Sequence, residues 1–176
     1  MEKLEAYARK ARSLGVSQAK IIDSKTVVVG NWVRLKCQFG CGGYGECLTC
    51  PPYSPTPRTT EKVLAEYSRG LLMQIEKISF KDEGRISKKF KKIVADLERD
   101  IFLDGYYKAL GMASGPCSLC SICDISKPCK YPRRARPSME ACGIDVYQTA
   151  RNNGLRLEVV KSRELPCSYL SLILIE

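Results

Sequence analysis

Ten cysteines and no histidine set the chemistry open to this chain of 176 residues. Eight of the cysteines fall in two groups. Cys37, Cys41, Cys47 and Cys50 stand in "CQFGCGGYGECLTCPP" at intervals x3, x5 and x2, and Cys117, Cys120, Cys123 and Cys129 stand in "GPCSLCSICDISKPCKYP" at x2, x2 and x5. Clustered thiolates suit soft metals, zinc and iron–sulfur clusters above all. Two-residue intervals let consecutive thiolates curl around one compact cluster, as in the bacterial ferredoxin run C-x2-C-x2-C-x3-C-P that holds [4Fe–4S]. Cys117, Cys120 and Cys123 are therefore expected on one cluster. The second group departs from the ferredoxin run in its last interval and lacks a proline after Cys129. In two-cluster ferredoxins the cysteine followed by proline serves the other cluster, and here that cysteine is Cys50. Two partitions follow: a local one, each group closing its own site, and a crossed one that exchanges Cys50 and Cys129. Local closure needs no long-range coincidence and is the expected arrangement.

The first group fits neither a zinc ribbon, whose C-x2-C knuckles lie about 15–20 residues apart, nor a finger, which needs histidine. Its glycines at 40, 42, 43 and 45 permit close backbone approach to a bulky group. Zinc and iron–sulfur both remain open there. Cys167, in "ELPCSYLS", reads instead as a small buried hydrophobe.

The stretches "VRLKCQFGCGGYGECLTCPPYSPTP" and "GPCSLCSICDISKPCKYPRRARPSMEACGIDVY" resemble the DUF2284 family of predicted metal-binding proteins. The resemblance runs from about Val33 to the C-terminus. It implies a cysteine-rich, iron–sulfur type of metal-binding protein without an established reaction. It carries Cys37, Cys41 and Cys50 over as ligands in the first motif and Cys117, Cys120, Cys123 and Cys129 in the second, with Cys47 and Cys142 matching less closely. Without Cys47 the first group holds three thiolates. A cluster with four protein thiolates is suited to passing electrons, whereas three leave a metal position free for Lewis-acid work or for sulfide or substrate.

Other chemistries find no pattern. There is no Walker A or Rossmann glycine fingerprint, and Cys37-x3-Cys41 is followed by x5 rather than the x2 of a radical S-adenosylmethionine loop. The formal net charge is +10, and "KYPRRARP" places Lys130, Arg133, Arg134 and Arg136 beside the second group. These side chains are expected to dock an acidic redox partner such as ferredoxin, with cluster charge balance and nucleic-acid binding as alternatives, Tyr131 being available to stack on a base. No apolar run approaches the ~18 residues of a membrane span. A cytoplasmic protein is expected.

The elements that must position these residues alternate between helix and strand. "EKLEAYARKARSLG" spaces Leu4, Tyr7, Ala8 and Ala11 as a helix; "TVVVGNWVRLK" reads as extended, with a tight hairpin at Gly30-Asn31. A short helix after Thr59 or Thr60, a strand in "LLMQIEKISF", and a long helix from Ile86 to about Leu110 follow. The lysines at 88, 89, 91 and 92 read as a solvated helix face. After the irregular stretch 111–142 come a helix in "GIDVYQTARNNG" and strands in "LRLEVV" and "YLSLILIE". The expected architecture is a single α/β domain over 1–176, a mixed sheet flanked by helices, carrying two Cys-rich metal-binding loops at 37–52 and 115–142. The function expected is an iron–sulfur protein with at least one [4Fe–4S] cluster that transfers electrons or supports a redox enzyme. The alternatives are an enzyme using an open three-thiolate cluster for redox or sulfur chemistry, and a zinc-stabilised nucleic-acid or protein binding module.

Overall fold

Strand β1 (Gln18–Asp23) pairs with β2 (Arg69–Ile78), β2 with β4 (Cys167–Leu174), and β4 with β3 (Leu110–Met112), giving the order β1-β2-β4-β3 in the computed structural model, which describes residues 2–162 and 164–176. The α/β expectation holds. Every pairing, however, is antiparallel, so the sheet is not mixed. The reason lies in one connection. β2 leads through a 21-residue helix to β3, which runs parallel to it, but β4 occupies the slot between them. This is a split βαβ unit, in which each hydrogen-bonded neighbour is antiparallel.

β2 is apolar almost throughout because both of its faces are covered. Leu71, Met73 and Ile75 face one core and Leu72 the other, as the period of two requires. The first core is completed by α1 (Glu2–Ser13), through Leu4, Tyr7, Ala8 and Ala11, and by α4 (Glu83–Leu103), through Phe90, Ile93, Val94, Leu97 and Ile101. Both stripes follow helical spacing. α4 stops short of Leu110 because the chain turns at Gly105, whose φ is +101°.

The opposite face carries the parts that hold the cysteines. α2 (Asn31–Gly40), α3 (Pro57–Leu64), a 3₁₀ turn at Glu140–Cys142 and α5 (Val146–Asn152) lie on this side. Thr56 caps α3 by accepting the Thr59 N–H at 3.2 Å, with Pro57 in its first turn, and Asp145 caps α5 by accepting the Gln148 N–H at 2.9 Å. Such caps satisfy donors that the first helical turn leaves free.

Two local expectations are corrected. The hairpin at Gly30-Asn31 is a helix start: Gly30 has φ −142° rather than the positive φ of a primed turn, and α2 begins at Asn31. "LRLEVV" makes no strand. Leu155 instead packs into the second core while the Arg156 carbonyl accepts the Gln74 side-chain N–H at 2.7 Å, so this segment crosses the sheet face without joining it. No helix among the described residues is long and apolar enough to cross a membrane.

Candidate metal centre

α2 exists to deliver one cysteine. Its single buried residue is Val33, Cys37 stands in its last turns, and Cys41 follows its end at Gly40. The chain then runs through a Gly-rich loop and returns at Cys50, where the N–H of Gly45 donates to the Pro51 carbonyl at 2.7 Å. The Pro51–Pro52 bond is cis. Arg34 ties this loop down. Its guanidinium donates to Ser54 Oγ (3.0 Å), the Pro55 carbonyl (3.2 Å) and the Ala141 carbonyl (2.9 Å), and Ser54 Oγ donates to Ala141 as well at 2.6 Å. The turn at Ala141 is held in its own right by Gly143. Its φ is +82°, and a Cβ there would lie 2.7 Å from Pro57 Cγ, so this position needs glycine.

The structure divides the eight cysteines three and five. Cys37, Cys41 and Cys50 line a cavity of about 430 Å³ between α2, the 3₁₀ turn and β4. Cys47, although between Cys41 and Cys50 in sequence, lines a different cavity of about 210 Å³, together with Cys117, Cys120, Cys123 and Cys129. Cys47 thus lines a cavity with the second group while still hydrogen-bonding Cys50 of the first, so it stands between the two groups.

The electrostatics tie Cys47 to both groups. Burial pushes the Cys47 thiol up and the thiols of Cys123 and Cys117 push it further, while a hydrogen bond with Cys50 pulls it down. The Cys37 thiol is raised by burial, then by Cys41 and the Glu140 carboxylate, against the opposing pull of Arg34. Burial first, then Cys47 and Cys41, lifts Cys50 to about 11. Deprotonation of these groups requires a compensating cation, and metal binding would release their protons. Among the described residues no three Cys, His, Asp or Glu side chains are drawn in tightly enough to hold a metal ion. As a donor set, eight thiols in two pockets suit iron–sulfur or zinc.

Three residues at the first cavity escaped the sequence reading. Trp32 and Glu140 line it and Arg34 braces it. Arg34 and Glu140 stand inside the two quoted stretches without being marked out by type or spacing, and only the packing of the 3₁₀ turn against α2 brings the three together. Glu140 Oε2 is buried without a hydrogen-bond partner among the described residues, and desolvation raises its carboxyl.

Beside the second cavity, Lys130, Arg133 and Arg134 are exposed. Arg136 is not free in the same way. Its Nε and Nη2 donate to Glu98 of α4 at 2.5 and 2.9 Å, and both partners are largely buried. The lysines of α4 are more than a solvated face. Lys88, Lys91 and Lys92 share a cleft of about 250 Å³ with Cys117 and Arg134, and Lys91 Nζ donates to the Pro116 carbonyl at 2.6 Å, its burial lowering its pKa.

The two remaining cysteines differ. Cys167 opens β4 and touches the first cavity, whereas Cys142 is 1 % exposed within the second core. Desolvation lifts the Cys142 thiol from 9.0 to about 12. A thiol with a raised folded-state pKa stabilises fully below the unfolded value and loses that contribution as pH rises through the folded one. The metal-free chain is therefore expected to lose stability from about pH 9 upward. Urea unfolding at about pH 8 and 11 checks this: the loss should be smaller in Cys142→Ala, and equal losses would exclude Cys142 as its source.

A family model described as "Predicted metal-binding protein (DUF2284)" matches residues 20–175. No curated protein and no solved structure matches the chain.

Proposed function

Because the chain belongs to the DUF2284 family of predicted metal-binding proteins, we propose that it is an iron–sulfur protein with two unlike sites. One, formed by Cys117, Cys120, Cys123 and Cys47 with Cys129 at its edge, would hold a [4Fe–4S] cluster for electron transfer. The other, formed by Cys37, Cys41 and Cys50, would hold a metal group with one position free. The observation that supports this reading is that Cys47 lines one cavity with the second group while Cys37, Cys41 and Cys50 line the other.

An iron–sulfur cluster supplies one-electron transfer and, where an iron lacks a protein ligand, a Lewis-acid position. The chain's own contribution is geometric and electrostatic. Arg34 fixes the loop that carries Cys50, Lys91 pins Pro116 next to Cys117, and the Arg136–Glu98 pair holds the following segment to α4. Exposed Lys130, Arg133 and Arg134 would receive an acidic redox partner such as ferredoxin, since complementary charge steers encounter. The open three-thiolate site makes an enzyme of redox or sulfur chemistry the second reading.

Iron, sulfide and zinc analysis after anaerobic purification tests the proposal. Cys117→Ser is expected to lose about four irons per chain, the content of one cube. Unchanged iron in that variant, or stoichiometric zinc in place of iron in the wild type, would overturn it.

A further inference from the structure

On α4 the lysines at 88, 91 and 92 stand at i, i+3 and i+4, the spacing that puts side chains on one face of a helix. That face lines the cleft of about 250 Å³ beside Cys117, and the segment after Cys129 adds Arg134 and Arg136 to the lining. No carboxylate among the described residues lines it. The cleft is smaller than most small-molecule sites, which run from roughly 300 to 1,000 Å³, so it has room for a head group rather than a whole ligand.

Two of the cations in this cleft are engaged elsewhere. Lys92 pairs with Asp96, and the guanidinium of Arg136 is taken up by Glu98 and by the carbonyls of Pro132 and Ala135. The side chains of Lys88 and Arg134 are exposed and have no hydrogen-bond or ion-pair partner among the described residues. Lys91 gives one of its three donors to the Pro116 carbonyl at 2.6 Å. Cys117, Glu83 and Cys50 act on Lys91 as groups of opposite charge, whereas Lys88 repels it. Like charges gathered in one cleft are relieved by an anion. A carboxylate would offer a single charge to three cations. A phosphate monoester group offers about −1.5 to −2 at pH 7 and three strong acceptor oxygens, which suits two ammonium groups and the planar donor fork of an arginine. The Ser118 hydroxyl, also on the cleft wall, supplies a further donor.

We propose that this cleft binds the phosphate monoester group of a small molecule, held by Lys88, Lys91 and Arg134 with Ser118, and so places that molecule next to Cys117. The inference goes beyond the proposed function. It shares Arg134 with the docking surface named there and does not depend on which metal Cys117 binds.

Inorganic phosphate, phenyl phosphate, dimethyl phosphate and acetate are the probes, titrated calorimetrically into the anaerobically purified chain at low ionic strength, with iron measured on the same samples. One phosphate, or one phenyl phosphate, should bind per chain. Dimethyl phosphate and acetate, each with a single charge, should bind about tenfold more weakly or worse, the effect of losing one charge-assisted hydrogen bond. Lys88→Met and Arg134→Gln should each weaken phosphate by a similar factor. Neither side chain has a partner in the fold, so both variants should keep the wild-type melting profile. Lys89→Met should bind as the wild type does, since Lys89 is turned toward Gly15. No binding to the wild type would overturn the site. So would equal losses in Lys89→Met and Lys88→Met, which would show only the general field of a chain of net charge +10. Equal affinity for the diester would give the cleft to a nucleic-acid backbone, and binding confined to iron-free chain would make its cations the counter-charge of the metal group at Cys117; either result overturns the proposal.

Discussion

Replacing Cys47 with serine is expected to strip the second cysteine site, about 70 residues away in sequence, while the site of its own loop keeps its metal. Sequence spacing points the other way, since only two residues separate Cys47 from Cys50. The folded chain turns between them. Cys50 lines the larger cavity with Cys37 and Cys41, and Cys47, although hydrogen-bonded to Cys50, lines the smaller one with Cys117, Cys120 and Cys123. Loss of one of four ligands leaves an incomplete shell, so iron should fall by about four per chain for a [4Fe–4S] centre. Cys50→Ser should spare those irons. Cys129→Ser should retain more iron than Cys47→Ser if Cys47 and not Cys129 is the fourth ligand. Full iron in Cys47→Ser together with loss in Cys129→Ser would restore the local partition.

Glu98→Ala should destabilise the fold by about 3–5 kcal/mol, the cost of leaving one member of a buried ion pair without its partner. The side chains of Arg136 and Glu98 are 19 % and 10 % exposed, so water screens them little. For a chain of this length that corresponds to a melting temperature lower by about 10 °C or more. The pair is also the link between α4 and the segment that follows Cys129, so iron retention should weaken alongside stability. Replacing both partners with apolar residues, Glu98→Leu and Arg136→Met, should recover most of the loss. A single-variant change below about 1 kcal/mol would place the pair with exposed bridges, which contribute little.

Helices with a one-sided apolar stripe and strands covered on both faces were legible in the sequence. α1 and α4 bury the residues that helical spacing selects, and β2 and β4 stand where the apolar runs are. The fully antiparallel sheet was not legible, because pattern shows that a strand exists without showing which strand enters the slot beside it. The two cysteine groups were legible as ligands by type and number. Their division was not, since which way Cys47 faces depends on a glycine loop whose path is set by remote partners, Arg34 and Ala141 among them. Arg136 was misread for a related reason. An arginine in a basic run looks exposed until the acid on another helix is known.

The turn that sends Cys47 and Cys50 to different cavities also ties those cavities together. The N–H of Cys50 donates to the Cys47 carbonyl at 2.9 Å, and three residue steps span at most about 11 Å even when fully extended. Whatever the two sites carry, they are joined by a short covalent bridge of backbone and one hydrogen bond. The Cα atoms of Cys47 and Cys50 therefore stay within about 11 Å of each other however the surrounding loops move.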